Sequence, residues 1–243
     1  MKSYSNTYIF MFSTIMVLIV AVLLSFVAEQ LRPIQEKNIE VEKKLDILKS
    51  VGEASGLDEA KNKDAYVEEE YNNYITRSYV VDINGELQEG VDAFDIDLKV
   101  ELSKDPAERD LPVYVYTASD STEKFILPVR GTGLWGPIWG YVSFREDLNS
   151  VYGAIFAHAK ETPGLGAEID QEWFSDQFLD KKIFNDRGEF VSISVVKGGA
   201  DPDDEHAVDG ISGGTITSTA LQDMLQNCLV NYENYFKSLN DNK

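Results

Sequence analysis

The 243-residue chain is poor in the residues that build metal centres and covalent cross-links, with one cysteine and two histidines. The single cysteine, Cys228, can form no intramolecular disulfide and supplies no cluster. That excludes iron–sulfur ligation within the chain and leaves Cys228 as a small core residue. His158 and His206 stand apart at no metal-ligand spacing, so no protein-bound metal is expected. Positive charge is scarce: 22 Lys and Arg face 42 Asp and Glu, for a formal net charge of -20 at pH 7. A surface this acidic repels phosphate backbones, which sets nucleic-acid binding aside. The chain also lacks a dinucleotide-binding fingerprint and any Ser-His-Asp or Cys-His set at recognisable spacing, so no catalytic residue is assigned.

What is present belongs to a folded protein. Hydrophobic residues make up 43% and charged residues 26%, and the length suits a membrane anchor plus one domain. Tyr8 to Val27 carries no charge over about twenty residues, enough to cross a bilayer as a helix. A cleaved signal peptide would have a shorter apolar region, and cleavage after Ala28 would put bulky Phe26 where a small residue is needed. Residues 1–34 are therefore expected to be a retained single-span anchor, with Tyr4, Tyr8, Phe10 and Phe12 as an interfacial aromatic belt. Lys2 precedes the span, whereas Arg32, Lys37, Lys43 and Lys44 follow it. Charge alone would thus place the following domain in the cytoplasm.

Residues 35–243 are expected to form one α+β domain, beginning with a helical connector over residues 35–75 and built on a central, mostly antiparallel sheet flanked by helices. One connector helix runs from Gln35 to about Ser50 and another from Leu57 to Tyr74. Asn84-Gly85 then predicts a hairpin between Ile75–Ile83 and Glu86–Glu89. Val91, Phe94, Ile96, Leu98, Val100 and Leu102 interleave with acids and read as a half-buried strand. The acids Asp92, Asp95, Asp97, Asp105 and Asp110 lack the spacing of a calcium loop and read as a solvated face. Leu111–Thr117, Lys124–Arg130, Val151–His158 and Phe190–Lys197 read as further strands. A helix is expected over Gln171–Leu179 with Trp173, Phe174 and Phe178 inward.

The best amphipathic helix comes last, with Leu221, Met224, Leu225, Cys228, Leu229, Tyr232, Phe236 and Leu239 on one stripe. It opens on Asp209-Gly210-Ile211-Ser212-Gly213-Gly214-Thr215, where free backbone N–H groups and the helix dipole suit a phosphate. No lysine follows the glycines, which argues against a nucleotide P-loop. A plain Gly-rich turn capped by Thr217 or Ser218 accounts for the same residues. Two other Gly-punctuated segments stand out. Gly133-Leu134-Trp135-Gly136 offers a flat aromatic surface beside close-approach glycines. Glu161-Thr162-Pro163-Gly164-Leu165-Gly166 offers a tight loop with exposed N–H groups and an apolar cover in Leu165.

These three segments, in this order and behind an N-terminal span, resemble the flavinylated FMN-binding domain family. Within it they resemble the C subunits of Na+-translocating NADH:quinone oxidoreductases. The resemblance implies FMN joined through its phosphate to the Thr215 hydroxyl, with Asp209, Ser212, Gly213 and Gly214 completing the motif. Gly214 departs from the usual alanine. Leu134, Trp135, Gly136, Glu161, Thr162, Leu165 and Gly166 would line the cofactor. Lys197, at the end of a strand, would stabilise negative charge on reduced FMN; an ordinary strand-end lysine explains it equally well. The resemblance further implies a single-pass inner-membrane protein facing the periplasm, against the charge count. It implies electron relay between an iron–sulfur centre and the FMN of the B subunit, with the B, D and E subunits among its neighbours. It also implies a separate Mg2+-dependent flavin transferase that takes FMN from FAD. NADH oxidation would belong to another member of this sodium-exporting complex. Two alternatives are the G subunit of an Rnf-type ferredoxin:NAD oxidoreductase and an anchored sensor or binding domain without cofactor.

Overall fold

The computed structural model describes residues 5–241; Lys2 and Tyr4 lie outside them. Its contacts divide into two units, Met1–Lys43 and Lys44–Lys243. Helix α1 (Asn6–Lys49) is continuous through Pro33, so the expected connector helix over 35–50 is the end of this one helix. In the first unit it is long and apolar enough to cross a membrane, and its side chains up to Glu40 are exposed.

In the second unit, α2 (Lys63–Tyr74) is shorter than expected because Asn62 caps it, its side chain accepting from the Ala65 N–H. Strands β1 (Ile75–Val81) and β2 (Leu87–Gln88) form the expected hairpin, with Gly85 at φ +81°. Val91–Leu102 is not a strand. Asp92 and Asp97 turn their carboxylates onto the N–H groups of Phe94 and Lys99 at 2.8 and 2.9 Å, and Asp97 caps the short helix α3 (Leu98–Glu101). Local side-chain acceptors here compete successfully with a strand ladder.

Strands β3 (Leu111–Thr117), β4 (Glu123–Thr132), β5 (Pro137–Phe144) and β6 (Val151–His158) complete a six-stranded sheet in the order β2-β1-β3-β4-β5-β6, antiparallel throughout. Its two faces bury different cores. Val113, Val115, Leu127, Val129 and Val142 pack with Leu221, Leu225, Leu229 and Phe236. Tyr114, Tyr116, Ile126 and Tyr141 pack with Ile47 and Val51.

Beyond β6 a 3-10 turn over Gly166–Asp170 leads to α4 (Glu172–Ser175) and a second 3-10 turn over Asp176–Phe178. Phe174 and Phe178 are fully buried as expected, but Trp173 is half exposed, its indole N–H 3.4 Å from a Glu168 carboxylate oxygen. Only Ser194–Val196 of the expected 190–197 strand is regular. This short β7 pairs in parallel with β8 (Ala207–Asp209), and Ser192 at φ +60° breaks the alternation before it. Helix α5 (Thr215–Leu229) and helix α6 (Glu233–Asp241) are separated by a 3-10 turn at Val230–Tyr232. The predicted stripe is buried from Leu221 to Phe236.

Candidate functional site

Helix α5 begins at Thr215 itself. Gly214 is its N-cap and no side chain caps it, so the reading of Thr217 or Ser218 as N-cap does not hold. The first N–H groups of the helix, those of Thr215, Ile216 and Thr217, therefore have no acceptor within the helix. Gly213 adopts φ +77°, a left-handed conformation that glycine takes without strain. Ser212 and Gly213 are exposed, and Thr215 is half buried.

Several hydroxyls crowd this helix start, and the structure sorts them. Ser218 Oγ is buried and accepts the Ile211 N–H at 3.0 Å, tying the loop down. Thr219 Oγ1 donates back to the Thr215 carbonyl at 3.0 Å. Thr217 Oγ1 is buried and donates to Glu161 Oε2 at 2.7 Å. Among the described residues, the Thr215 hydroxyl has no such commitment, and it stands half exposed at the end of the helix that carries free N–H groups.

The two other Gly-rich segments arrive at the same place. Strands β4 and β5 are joined by a turn in which the Gly133 N–H donates to the Gly136 carbonyl at 2.8 Å. The Trp135 N–H donates to Glu161 Oε1 at 2.8 Å. In the following loop, the Thr162 carbonyl accepts from Leu165 and Ala167, both at 3.1 Å. Those two N–H groups are thus spent within the loop and not presented to a ligand. Leu165 instead meets the motif: a Cβ on Gly213 would lie 2.6 Å from Leu165 Cδ2.

Glu161 differs most from its expected role. Its side chain is 4% exposed, and both carboxylate oxygens face protein donors. In this structure the carboxylate ties two segments of the protein to each other. Asp209 holds the opposite flank: its Oδ1 accepts the Ala200 N–H at 2.7 Å, and its own N–H donates to Gln177 Oε1 at 2.9 Å. Gln177, whose Nε2 is buried without a partner among the described residues, had no sequence signal. Lys197 is exposed, and its Cα would lie 3.5 Å from a Cβ on Gly210, which places its backbone against the motif.

Leu134, Trp135, Leu165 and Ile216 leave large apolar areas exposed; Trp135 is 61% exposed. The result is an open apolar surface around a threonine at a helix N-terminus, able to take a planar ring with a phosphate tail. A cavity of about 700 Å³ lies farther along α5, between Arg109, Arg130, Asn227 and Asn231, and none of the motif residues lines it.

The chain has clear relatives among known proteins. An FMN-binding domain family profile matches residues 133–230, which include all three segments. The chain is 35% identical over 222 residues to the C subunit of the Na(+)-translocating NADH-quinone reductase of Vibrio vulnificus, covering 84% of this chain and 83% of that protein. It is 29% identical over 241 residues to the corresponding C subunit of Pseudomonas aeruginosa, covering 91% and 90%. The crystal structure of such a C subunit from Parabacteroides distasonis superposes with a TM-score of 0.74 at 42% identity, covering 85% of this chain and 96% of that one. A structure of NqrC from Shewanella oneidensis, at 20% identity and a TM-score of 0.68, shares the fold.

Proposed function

Because the chain belongs to the C-subunit family of Na(+)-translocating NADH-quinone reductases, we propose that it carries FMN as a phosphoester on Thr215 and relays electrons within such a complex. The observation that carries this reading is the Thr215 hydroxyl at the start of α5, uncommitted among the described residues, while the Thr217, Ser218 and Thr219 hydroxyls of the same helix are spent elsewhere.

The residues present fit the group. Gly213 and the first N–H groups of α5 offer a phosphate its donors, and the helix dipole adds about 0.3–1 kcal/mol at an exposed site. Ser212 and Gly214 complete the cradle, while Leu134, Trp135, Gly136 and Leu165 supply apolar cover. Lys197, on the loop that abuts Gly210, would offset negative charge on the reduced cofactor. When bound, FMN supplies the one-electron chemistry that no side chain here provides.

For attachment, the Thr215 hydroxyl acts as the nucleophile at the FMN phosphorus of FAD. A new P–O bond forms, the pyrophosphate bridge breaks, AMP leaves, and the hydroxyl proton passes to a base of the Mg2+-dependent flavin transferase. Residues 1–34 would anchor the chain in the inner membrane, with residues 35–243 on the periplasmic side and residues 35–75 as their helical connector. Electrons would pass between an iron–sulfur centre and the FMN of the B subunit, with the D and E subunits as further neighbours, during quinone reduction coupled to sodium export.

Intact-mass measurement tests the central step. The full chain co-produced with a flavin transferase should exceed its own mass by FMN less water and stay yellow after acid denaturation. Thr215→Ala should lose both the added mass and the colour. A wild-type chain without added nucleotide, or a Thr215→Ala chain that keeps it, refutes the assignment.

A further inference from the structure

We propose that Glu161 is a positioning residue for flavin attachment: its buried carboxylate clamps the Trp135 turn to the first turn of α5 and so assembles the acceptor site before any flavin arrives. The proposal rests on Thr215 being the acceptor. It adds what holds that threonine in place.

A carboxylate 4% exposed is expensive to desolvate unless its oxygens are bonded. Here they are, but to partners on two different segments: Oε1 to the Trp135 N–H at 2.8 Å and Oε2 to the Thr217 hydroxyl at 2.7 Å. Neither partner is a cation, so no ion-pair gain accounts for the burial. An apolar side chain would build a core here at lower cost. What the carboxylate contributes is geometry, because two directed, charge-assisted bonds fix the spacing between segments 82 residues apart in sequence, Trp135 and Thr217.

The surrounding glycines give the same reading. A Cβ on Gly133 would lie 2.6 Å from Glu161 Oε1. A Cβ on Gly166 would lie 2.6 Å from Oε2 and 2.3 Å from Thr217 Oγ1. Each belongs to one of the Gly-rich segments that converge here, and each leaves room for the carboxylate. These two glycines therefore serve the internal clamp, while the motif's Gly213 serves the exposed face. Thr217 lies two residues beyond Thr215 in the same helical turn, so tying Thr217 to Glu161 holds in place the stretch of helix backbone that carries Thr215. At the other end of the clamp, the Trp135 N–H bond holds the backbone from which the exposed indole projects.

The test uses the full-length protein, without flavin, incubated with a flavin transferase, FAD and Mg2+, the initial rate of FMN addition being followed by intact mass. Glu161→Ala should slow attachment about tenfold or more, since small misplacements of a reacting group are costly. Thr217→Val, which keeps shape and removes one bond, should slow it about threefold. Glu161→Gln should recover most of the rate, because its amide oxygen can accept from Trp135 and its NH2 can donate to the Thr217 oxygen. Hydrogen exchange at the Trp135 amide, measured before attachment, should speed up in Glu161→Ala and stay slow in Glu161→Gln. A residue that only stabilises the fold would lower the melting temperature without changing the attachment rate of the folded protein. Glu161→Ala and Thr217→Val proteins that are folded and accept FMN at the wild-type rate overturn the proposal. If Glu161→Ala does not fold, Thr217→Val decides alone. A wild type that takes no FMN on Thr215 fails the acceptor assignment itself and is recognised separately by its unchanged mass.

Discussion

Gly213 and Leu165 meet so closely that a Cβ on the glycine would lie 2.6 Å from Leu165 Cδ2, and the glycine holds φ +77°. Gly213→Ala therefore meets two penalties. The left-handed backbone costs an L-residue roughly 1–2 kcal/mol, and Leu165 must swing away from the helix start. Gly164 has a similar φ of +74°, but nothing lies within 4 Å of its would-be Cβ. Gly164→Ala should lower the melting temperature alone, whereas Gly213→Ala should also slow FMN attachment. Thermal melts and intact-mass rates on the two variants separate backbone strain from the Leu165 contact. Equal attachment rates in both would show that the contact is irrelevant to the site.

Asp209 opens the motif, and its side chain works on the protein's own backbone. Its Oδ1 accepts the Ala200 N–H at 2.7 Å, holding the loop that follows β7 beside Gly210. Asparagine keeps that acceptor and alanine removes it. Asp209→Asn should therefore attach FMN at close to the wild-type rate, while Asp209→Ala should be slower by about threefold or more, as expected for a lost local bond. If both variants are equally slow, the transferase reads the charge of Asp209, and the loop tether is incidental.

The legible parts of this chain are those where one local signal acts alone. Asn84-Gly85 between two apolar runs specified the β1–β2 hairpin, and the 3.6-residue stripe from Leu221 to Phe236 specified the buried face of α5 and the elements after it. The Val91–Leu102 segment misled because acids alternating with apolar residues imitate a strand. Only the structure shows the carboxylates of Asp92 and Asp97 bonding to N–H groups two residues on, and the Tyr114 hydroxyl donating to the Ala93 carbonyl at 2.9 Å. Trp173 misled because helical spacing puts it near Phe174 and Phe178 but does not say which side of a short helix meets the sheet. The three site segments were legible as a set. The direction of Glu161 was not, since whether a motif residue faces a ligand or its own protein depends on a partner, Thr217, 56 residues away.

Alkaline pH should unfold the second unit through its buried acids. Tyr114 and Tyr232 are fully buried, and burial pushes both phenols well above their ordinary value of 10.0. Each keeps its proton in a hydrogen bond, to the Ala93 carbonyl and the Pro112 carbonyl respectively, both at 2.9 Å. Burial also raises the Cys228 thiol from 9.0 to about 11. These folded-state values exceed the unfolded ones, so the unfolded chain releases its protons first. The stability they contribute is intact below pH 9 and is lost as pH rises, first through Cys228 and then, more steeply, above 10 through the tyrosines. Cys228 alone accounts for about 2–3 kcal/mol across that interval, at about 1.4 kcal/mol per unit. A pH titration followed by phenolate absorbance and circular dichroism together checks this. The phenolate signal of the buried tyrosines should rise in one step with loss of secondary structure, and Cys228→Ser should shift the onset of unfolding toward higher pH. Phenolate that grows in while the fold remains intact would mean that these hydroxyls reach solvent without unfolding.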